Sequence, residues 1–166
     1  MTRVRRAVPD DATNLVALAE AVGREEGRWI LATDRWRTVS DERRFLRSVQ
    51  SHTDAAVYVA EDDGRVVARL SLARDPHPAS RHVADLGLMV AEDHRRLGIG
   101  NALLAEAVAW ARSVDVSKLE LHVFPWNEPA LRLYSSFGFE EEGYRRRHYA
   151  RDGELVDAIL MAYWVE

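Results

Sequence analysis

The chain has 166 residues, of which 47% are apolar and 30% charged; its net charge is -4 and it contains no cysteine. This composition is typical of a folded protein with a hydrophobic core and excludes disordered and collagen-like chains. The lack of cysteine excludes disulfides, thiol nucleophiles and cysteine-bound metals, and the acidic balance argues against a nucleic-acid partner.

The sequence predicts neither a secretory signal nor a membrane span. Its first ten residues carry arginines without the apolar core of a signal peptide. Charges interrupt every apolar run before it reaches the roughly 20 residues that cross a bilayer. We therefore expect a cytoplasmic protein without a membrane partner, and, since no repeat or linker divides the chain, one domain over residues 1–166.

The N-terminal part of the chain predicts a strand followed by two helices. Residues 3–8 alternate weakly, and Asp10 or Asp11 can cap the helix that follows Pro9. Residues 23–39 show no clear period and are predicted to form a loop. Ser40 can then cap a second, short helix.

The middle of the chain predicts three strands. Residues 55–61 and 65–73 are rich in β-branched side chains and flank Asp63-Gly64, which is a strong hairpin signal. Residues 75–81 contain two prolines and are predicted to be irregular. Residues 83–90 then return to a strand pattern.

The C-terminal half predicts a βαβ unit and a final hairpin. An apolar stripe indicates a helix over residues 98–113, and residues 119–124 alternate as a strand. A further helix is expected from Asn127, as its N-cap, to Gly138. The last strands are predicted at 144–149 and 155–163.

A loop with two glycines opens the helix after the strand at residues 83–90. Gly98 and Gly100 would allow successive backbone N–H groups to approach a phosphate, and Arg95 and Arg96 would add positive charge. In isolation, the same glycines could simply form a tight turn. A dinucleotide fingerprint is excluded because Leu103 stands where its third glycine belongs, and no Gly-Lys-Ser/Thr of a Walker loop occurs.

Two motifs resemble those of the GNAT superfamily of N-acetyltransferases. The segment HRRLGIGNALL, residues 94–104, resembles the family's acetyl-CoA loop, Gln/Arg-x-x-Gly-x-Gly/Ala. Downstream, Asn127, Ala130, Tyr134 and Gly138-Phe139 match N-x-x-A-x-x-x-Y-x-x-x-G-F. The resemblance implies an α+β fold with a mostly antiparallel sheet of six to seven strands, one splayed strand pair and about four flanking helices.

The same resemblance implies where acetyl-CoA, the cosubstrate, binds. The backbone amides of residues 97–101 would cradle its pyrophosphate, and residues 88–90, splayed from strand 119–124, would pair with its pantetheine arm. A backbone N–H near Val90 could polarise the thioester carbonyl. The residues assigned to the cofactor are Leu88, Met89, Val90, Arg95, Arg96, Leu97, Gly98, Ile99, Gly100, Asn101, Asn127 and Tyr134.

Two catalytic roles are implied by position in the family pattern. Tyr134 aligns with a tyrosine that protonates the departing CoA thiolate, although an aromatic residue that only packs would look the same. Asp85, at the start of the fourth strand, is the candidate base for the attacking amine. Strand alternation places Asp85, Gly87 and Met89 on one face, unless a bulge intervenes.

The predicted activity is transfer of the acetyl group of acetyl-CoA to the primary amine of a small molecule, such as an amino acid or a polyamine, by direct attack in a ternary complex. The C-terminal part of the chain resembles bacterial members of the family that act on amino acids or other small amines. A non-catalytic acyl-CoA sensor and an acetyltransferase of peptide N-termini remain alternatives. No metal site is predicted because the six histidines show no ligand spacing. A homodimer is possible. The resemblance implies that the acceptor is selected by residues of the early helices and the final hairpin, here Arg28, Trp29, Trp36, Tyr144, His148, Tyr149 and Asp157.

Overall fold

A computed structural model describes residues 1–30 and 36–166 and arranges them as one seven-stranded sheet with four α-helices. The strands are β1 (Arg3–Arg6), β2 (Ala55–Asp62), β3 (Arg65–Arg74), β4 (Val83–Val90), β5 (Lys118–Val123), β6 (Glu140–Arg151) and β7 (Glu154–Trp164). The helices are α1 (Ala12–Gly23), α2 (Val39–Gln50), α3 (Ile99–Ser113) and α4 (Glu128–Phe137). The strand order is β1-β2-β3-β4-β5-β7-β6, with only β4 and β5 parallel. The mixed, mostly antiparallel fold is confirmed.

Both predicted hairpins form around Asp-Gly turns. Asp63 and Gly64 have φ angles of 47° and 78°, and Asp152 and Gly153 have φ angles of 51° and 80°. Two successive residues with positive φ are the signature of a type I′ turn, whose twist matches that of the strands it joins. Residues 75–81 form a connection that contains a short 3₁₀ turn, Pro78–Ser80. An irregular segment was predicted here because its prolines lack backbone N–H groups.

The parallel strands β4 and β5 separate soon after they begin. Val83, Ala84 and Asp85 pair with residues 118–120, and the ladder then ends although both strands continue. Residues 84–90 remain paired with β3 on their other side in an unbroken register. The sheet therefore opens between β4 and β5, and the splayed pair is confirmed.

The core lies between the sheet and the apolar stripes of its helices. Leu103, Leu104 and Ala107 of α3 are completely buried, as is Leu15 of α1. Truncating a buried leucine to alanine typically costs about 2–5 kcal/mol. This core fixes the position of α3, whose first turn borders the opening in the sheet. Within the described ranges, no helix is long and apolar enough to span a membrane.

Of the predicted caps, Asp11 occupies the N-cap position of α1 but its side chain forms no capping hydrogen bond, and the prediction of Ser40 for α2 was wrong. A 3₁₀ turn, Pro9–Asp11, precedes α1, and the Asp11 carboxylate accepts hydrogen bonds from Arg5 and the Val8 N–H instead of capping. Thr38, not Ser40, caps α2, because its extended backbone lets its hydroxyl accept from the Asp41 N–H at 3.1 Å. The loop predicted over residues 23–39 is present beyond α1, although its part over 31–35 lies outside the described residues.

Candidate functional site

A cavity of about 1150 Å³ opens where β4 and β5 diverge, and we call it the cleft. Its walls come from β3, β4, β5, the start of α3, α4 and the chain before α2. Eleven of the twelve residues assigned to the cofactor line it, together with Asp85. Leu97 is the exception: it is 66% exposed and is not among the residues that line the cleft.

The glycine loop has the backbone geometry of an anion-binding site. Arg96 and Gly98 have φ angles of 61° and 82°, and Gly98 is the N-cap of α3. Such alternation turns successive N–H groups toward one concave side, at the positive end of the helix dipole. A Cβ on Gly98 would meet no atom, so its positive φ is the reason for glycine. A Cβ on Gly100 would lie 2.8 Å from Leu133 Cδ2, so this glycine lets α3 approach α4 closely.

Arg95 is held by two partners beside this loop. Its Nε donates to the Val90 carbonyl at 3.1 Å, and its Nη1 and Nη2 donate to the two Glu25 carboxylate oxygens at 2.8 and 2.7 Å. Arg95 therefore connects the end of β4 to the chain after α1. Arg96 is exposed at the mouth of the cleft and forms no ion pair with any described residue, so its charge is available to a ligand.

Residues 24–30, which we call the strap, cross one side of the cleft. Glu25 holds Arg95, the Gly27 carbonyl accepts from Trp126 Nε1 at 2.9 Å, and Arg28 Nε lies 3.0 Å from Asp152 in the final hairpin. The strap thereby links α1 to the segment before α4 and to the turn between β6 and β7. Trp29 and Ile30 of the strap line the cleft.

Asn127, the N-cap of α4, and Tyr134 within α4 both line the cleft. Asn127 Oδ1 accepts from the Ala130 N–H at 3.2 Å, which confirms the predicted N-cap, and its Nδ2 donates to the Trp29 carbonyl at 3.4 Å. Tyr134 is only 6% exposed and packs edge-on against Phe139. Burial raises the pKa of the Tyr134 phenol, which therefore keeps its proton throughout the neutral range.

Asp85 lies opposite Glu120 where β4 and β5 are still paired. Water reaches the Asp85 carboxylate, but the cleft walls partly desolvate it, and repulsion from Glu120 adds to the effect. Together they raise the pKa of Asp85 to about 6. The regular ladder between β3 and β4 confirms that Asp85, Gly87 and Met89 share one face.

His122 is a candidate that the sequence analysis missed. It lies two residues after Glu120 on the same face of β5, lines the cleft, and its Nδ1 is 2.5 Å from Tyr149 Oη. Burial, more than the charge of Arg145, lowers the pKa of His122, so its imidazole is neutral near pH 7. No spacing motif marks a single histidine, and it comes close to Tyr149 of β6 only because β7 pairs with both β5 and β6. Among the described residues, no group of His, Asp and Glu is arranged to hold a metal ion.

The residues expected to select the acceptor divide into two groups. Trp29, Trp36 and Tyr149 line the cleft. The other four do not line the cleft: Arg28, Tyr144, His148 and Asp157. Of these, Tyr144 donates to Asp157 at 2.7 Å on an exposed surface. Sequence reasoning also missed Arg37, Phe45 and Arg69, which line the cleft beneath α2 and carry no recognisable motif.

Comparisons with known proteins agree with this geometry. Residues 17–139 match the family model described as the acetyltransferase (GNAT) family. The chain is 39% identical over 108 residues to an L-amino acid N-acetyltransferase of Escherichia coli (strain K12), a match that covers 63% of this chain and 65% of that one. It is 38% identical over 120 residues to an N-alpha-acetyltransferase of Sulfurisphaera tokodaii, covering 66% of this chain and 69% of that protein. The crystal structure of an acetyltransferase of the GNAT family from Streptococcus pneumoniae superimposes with a TM-score of 0.90 at 27% identity, covering 100% of both chains.

Proposed function

This chain belongs to the acetyltransferase (GNAT) family, and on that premise we propose that it transfers the acetyl group of acetyl-CoA to the primary amine of a small molecule such as an amino acid. The observation that carries the proposal is the opening between β4 and β5 directly beside the glycine loop at the start of α3. Bound acetyl-CoA would supply an activated thioester. The chain's own residues would bind and orient the two substrates and move the protons.

The glycine loop fits the pyrophosphate of the cosubstrate. The amides of residues 98–101 belong to the cap and first turn of α3, where N–H groups have no partner within the helix, and the amide of residue 97 directly precedes them. Arg96 would add a free positive charge at the mouth of the cleft. Arg95 would act indirectly, by holding the end of β4 and the strap in position through Val90 and Glu25.

Residues 88–90 of β4 would hold the pantetheine arm. Their edge toward β3 is paired, whereas β5 has diverged from their other edge. An extended amide-containing chain can add to such an edge as an extra strand does. A backbone N–H near Val90 would then donate to the thioester carbonyl and stabilise negative charge on its oxygen.

Tyr134 would donate a proton to the departing thiolate. Its phenol is protonated, buried and part of the cleft wall. A positioned proton donor removes the need to release a bare thiolate, whose reference pKa is about 8.5.

Asp85 would accept the proton of the attacking amine. With its pKa at about 6, it is ionised at pH 7 to 8 yet more basic than an ordinary carboxylate. The neutral imidazole of His122, on the same sheet face, is a second possible proton acceptor.

The strap favours a small acceptor over a peptide. Its contacts with Trp126 and Asp152 hold it beside the cleft, which Trp29 and Ile30 line, and we expect it to leave less room for an extended chain than for a small amine. One relative is named as an N-alpha-acetyltransferase. The test therefore includes peptides as well as small amines.

The test measures thiol release from acetyl-CoA against amino acids, polyamines, aminoglycosides and peptide N-termini. The chain has no cysteine, so it contributes no thiol background. We expect saturable turnover with a small amine. If only peptides give saturable turnover, the acceptor is a peptide and not a small amine. CoA binding without turnover on any amine would favour a non-catalytic sensor.

A further inference from the structure

A second charged cluster lies on the floor of the cleft, beneath α2. It consists of Arg69 of β3, Arg37 before α2, Glu42 of α2 and the aromatic rings of Trp36 and Phe45. We call it the arginine cluster. Arg37, Arg69 and both rings line the cleft, so the cluster faces the same space as the proposed reaction site.

Arg69 is buried without sufficient hydrogen bonds. It is 5% exposed, and its Nε donates to no acceptor in the part of the chain that the structure describes. The Glu42 carboxylate is its ion-pair partner, but Nη2 and Oε1 are 3.6 Å apart, which is too far for a hydrogen bond. A buried guanidinium with an unused donor is costly, and such groups call for a specific explanation.

The described members of the cluster carry more positive than negative charge. Glu42 is completely buried and already accepts a hydrogen bond of 2.8 Å from Arg37 Nη1. Among the described residues, two guanidinium groups therefore share one carboxylate. Burial lowers the pKa of Arg69 to about 10, so it is still a cation at neutral pH.

The aromatic rings cover the faces of the guanidinium groups and leave their edges for an anion. The central carbon of Arg69 lies 5.3 Å from the Trp36 ring centre and 5.9 Å from that of Phe45. Arg37 lies 4.1 Å from the Phe45 ring centre. A guanidinium stacked in this way is well suited to in-plane recognition of a carboxylate.

Strand register places Arg69 on the same sheet face as the proposed base. In the antiparallel ladder, Arg69 is opposite Met89, Ser71 is opposite Gly87, and Ala73 is opposite Asp85. Facing residues of such a ladder project to the same side. Arg69 and Asp85 therefore mark two ends of one surface, about 13 Å apart along the strands at roughly 3.3 Å per residue.

We propose that Arg69, assisted by Arg37, binds a carboxylate group of the acceptor, and that the acceptors are consequently small amino acids, not polyamines or aminoglycosides. The inference rests on the proposed acetyl transfer. The carboxylate would complete the hydrogen bonding of Arg69 and balance the charge of the arginine cluster, while the amine points toward Asp85.

The test compares amino acids with their α-carboxamides and decarboxylated amines, in the wild-type protein and in Arg69→Met. We expect the wild type to use an amino acid with at least a 10-fold higher kcat/KM than its uncharged analogue. Arg69→Met should lower kcat/KM for the amino acid about 10- to 100-fold, mainly through KM, because a charge-assisted hydrogen bond is lost. The same substitution should leave the analogue almost unaffected, and Arg69→Lys should restore part of the preference. For dicarboxylic amino acids, separate α- and side-chain amides identify which carboxylate is bound.

Arg44→Met is the matched control, because Arg44 is an exposed arginine of α2 paired with Asp41. It should keep the wild-type preference. The acid-to-amide ratio is measured within one preparation, so partial unfolding of Arg69→Met cannot produce the effect. Equal use of acids and amides by the wild type, or equal losses for both in Arg69→Met, would overturn the inference.

Failure of the proposed function gives a separate result. If no amine supports turnover, the arginine cluster is tested by calorimetry with amino acids in the presence of CoA. Binding that is lost in Arg69→Met and kept in Arg44→Met supports the carboxylate site. No binding, or binding that is unchanged in Arg69→Met, overturns it.

Discussion

At the residue scale, the hydroxyl of Tyr134 provides the clearest test of the proposed chemistry. We expect Tyr134→Phe to lower kcat roughly 100-fold, within the usual range for loss of a general acid. The ring contact with Phe139 is retained, so the affinity for acetyl-CoA should change little. Thiol release gives kcat, and calorimetry with CoA gives the affinity. An unchanged kcat would remove Tyr134 from the mechanism.

Asp85 should impose a pH dependence on activity. A base must be deprotonated to act, so with a pKa at about 6 the rate should fall as the pH drops through 6. Asp85→Asn should abolish this acidic limb of the pH–rate profile and lower kcat. If the limb persists, Asp85 is not the base, and the same measurement on His122→Asn tests the neighbouring imidazole.

The raised pKa of Asp85 also has a consequence for stability. The folded state holds the Asp85 proton more tightly than the unfolded state does, so stability falls as the pH rises from the ordinary carboxyl pKa of about 4 to about 6, and the full loss is present at pH 7. Asp85→Asn should therefore raise the melting temperature at pH 7 while it lowers activity. A variant that melts at or below the wild-type temperature would argue against a strained functional carboxylate.

Residue types predicted local roles better than they predicted partners. Asn127 caps α4 as expected, because capping needs only the preceding and following turns. Arg69 and His122 gave no signal, since their significance depends on strands that pair across the sheet and on burial beneath α2. Thr38 and Ser40 both carry a hydroxyl that can cap a helix. Which of them caps α2 depends on where the backbone becomes helical, and side-chain chemistry alone does not determine that position.

At the element scale, the first turn of α3 depends on the conformation of Gly98. An alanine there would be held at a φ of 82° and is expected to cost about 1 to 2 kcal/mol, although no neighbouring atom obstructs its Cβ. Relaxation of the loop should raise the KM for acetyl-CoA. The melting temperature and steady-state kinetics measure the two effects.

Gly64 offers a matched control for Gly98. It has a φ of 78° and an equally open surrounding, but it lies in the hairpin between β2 and β3, and it is absent from the cleft lining. Gly64→Ala should lose a similar amount of stability and keep the wild-type KM. If both variants keep it, the loop does not bind the cosubstrate.

Elements with one buried face were predictable, and the exposed edge strand was not. β4, α3 and β5 show clear apolar patterns, and the predicted bounds agree within one residue. β6 begins at Glu140, four residues earlier than expected. Its outer position leaves most of it exposed, and two register shifts against β7 disturb its alternation. Without a buried face, an edge strand has little apolar periodicity to detect.

At the scale of the whole molecule, the strand order shows what periodicity cannot supply. The βαβ unit predicted that β4 and β5 are parallel neighbours, but β7 lies between β5 and β6, an order that no local pattern encodes. The opening of the sheet was implied by the family resemblance, not by the residues of β4. The cleft is therefore a product of topology, to which the motifs contribute the loop and α4.

The sites proposed for the cosubstrate and for the acceptor lie in different parts of the cleft, and measurements of thermal stability can distinguish them. A ligand that binds only the folded state at 100 times its Kd adds about 2.7 kcal/mol, which should raise the melting temperature by about 5 to 11 °C for a chain of this size. We expect this shift with acetyl-CoA in the wild type and in Arg69→Met, because the arginine cluster is beneath α2 and the glycine loop is at α3. Gly98→Ala should need more acetyl-CoA for the same shift. A normal shift in Gly98→Ala together with a lost shift in Arg69→Met would mean that the two sites have been assigned the wrong way round.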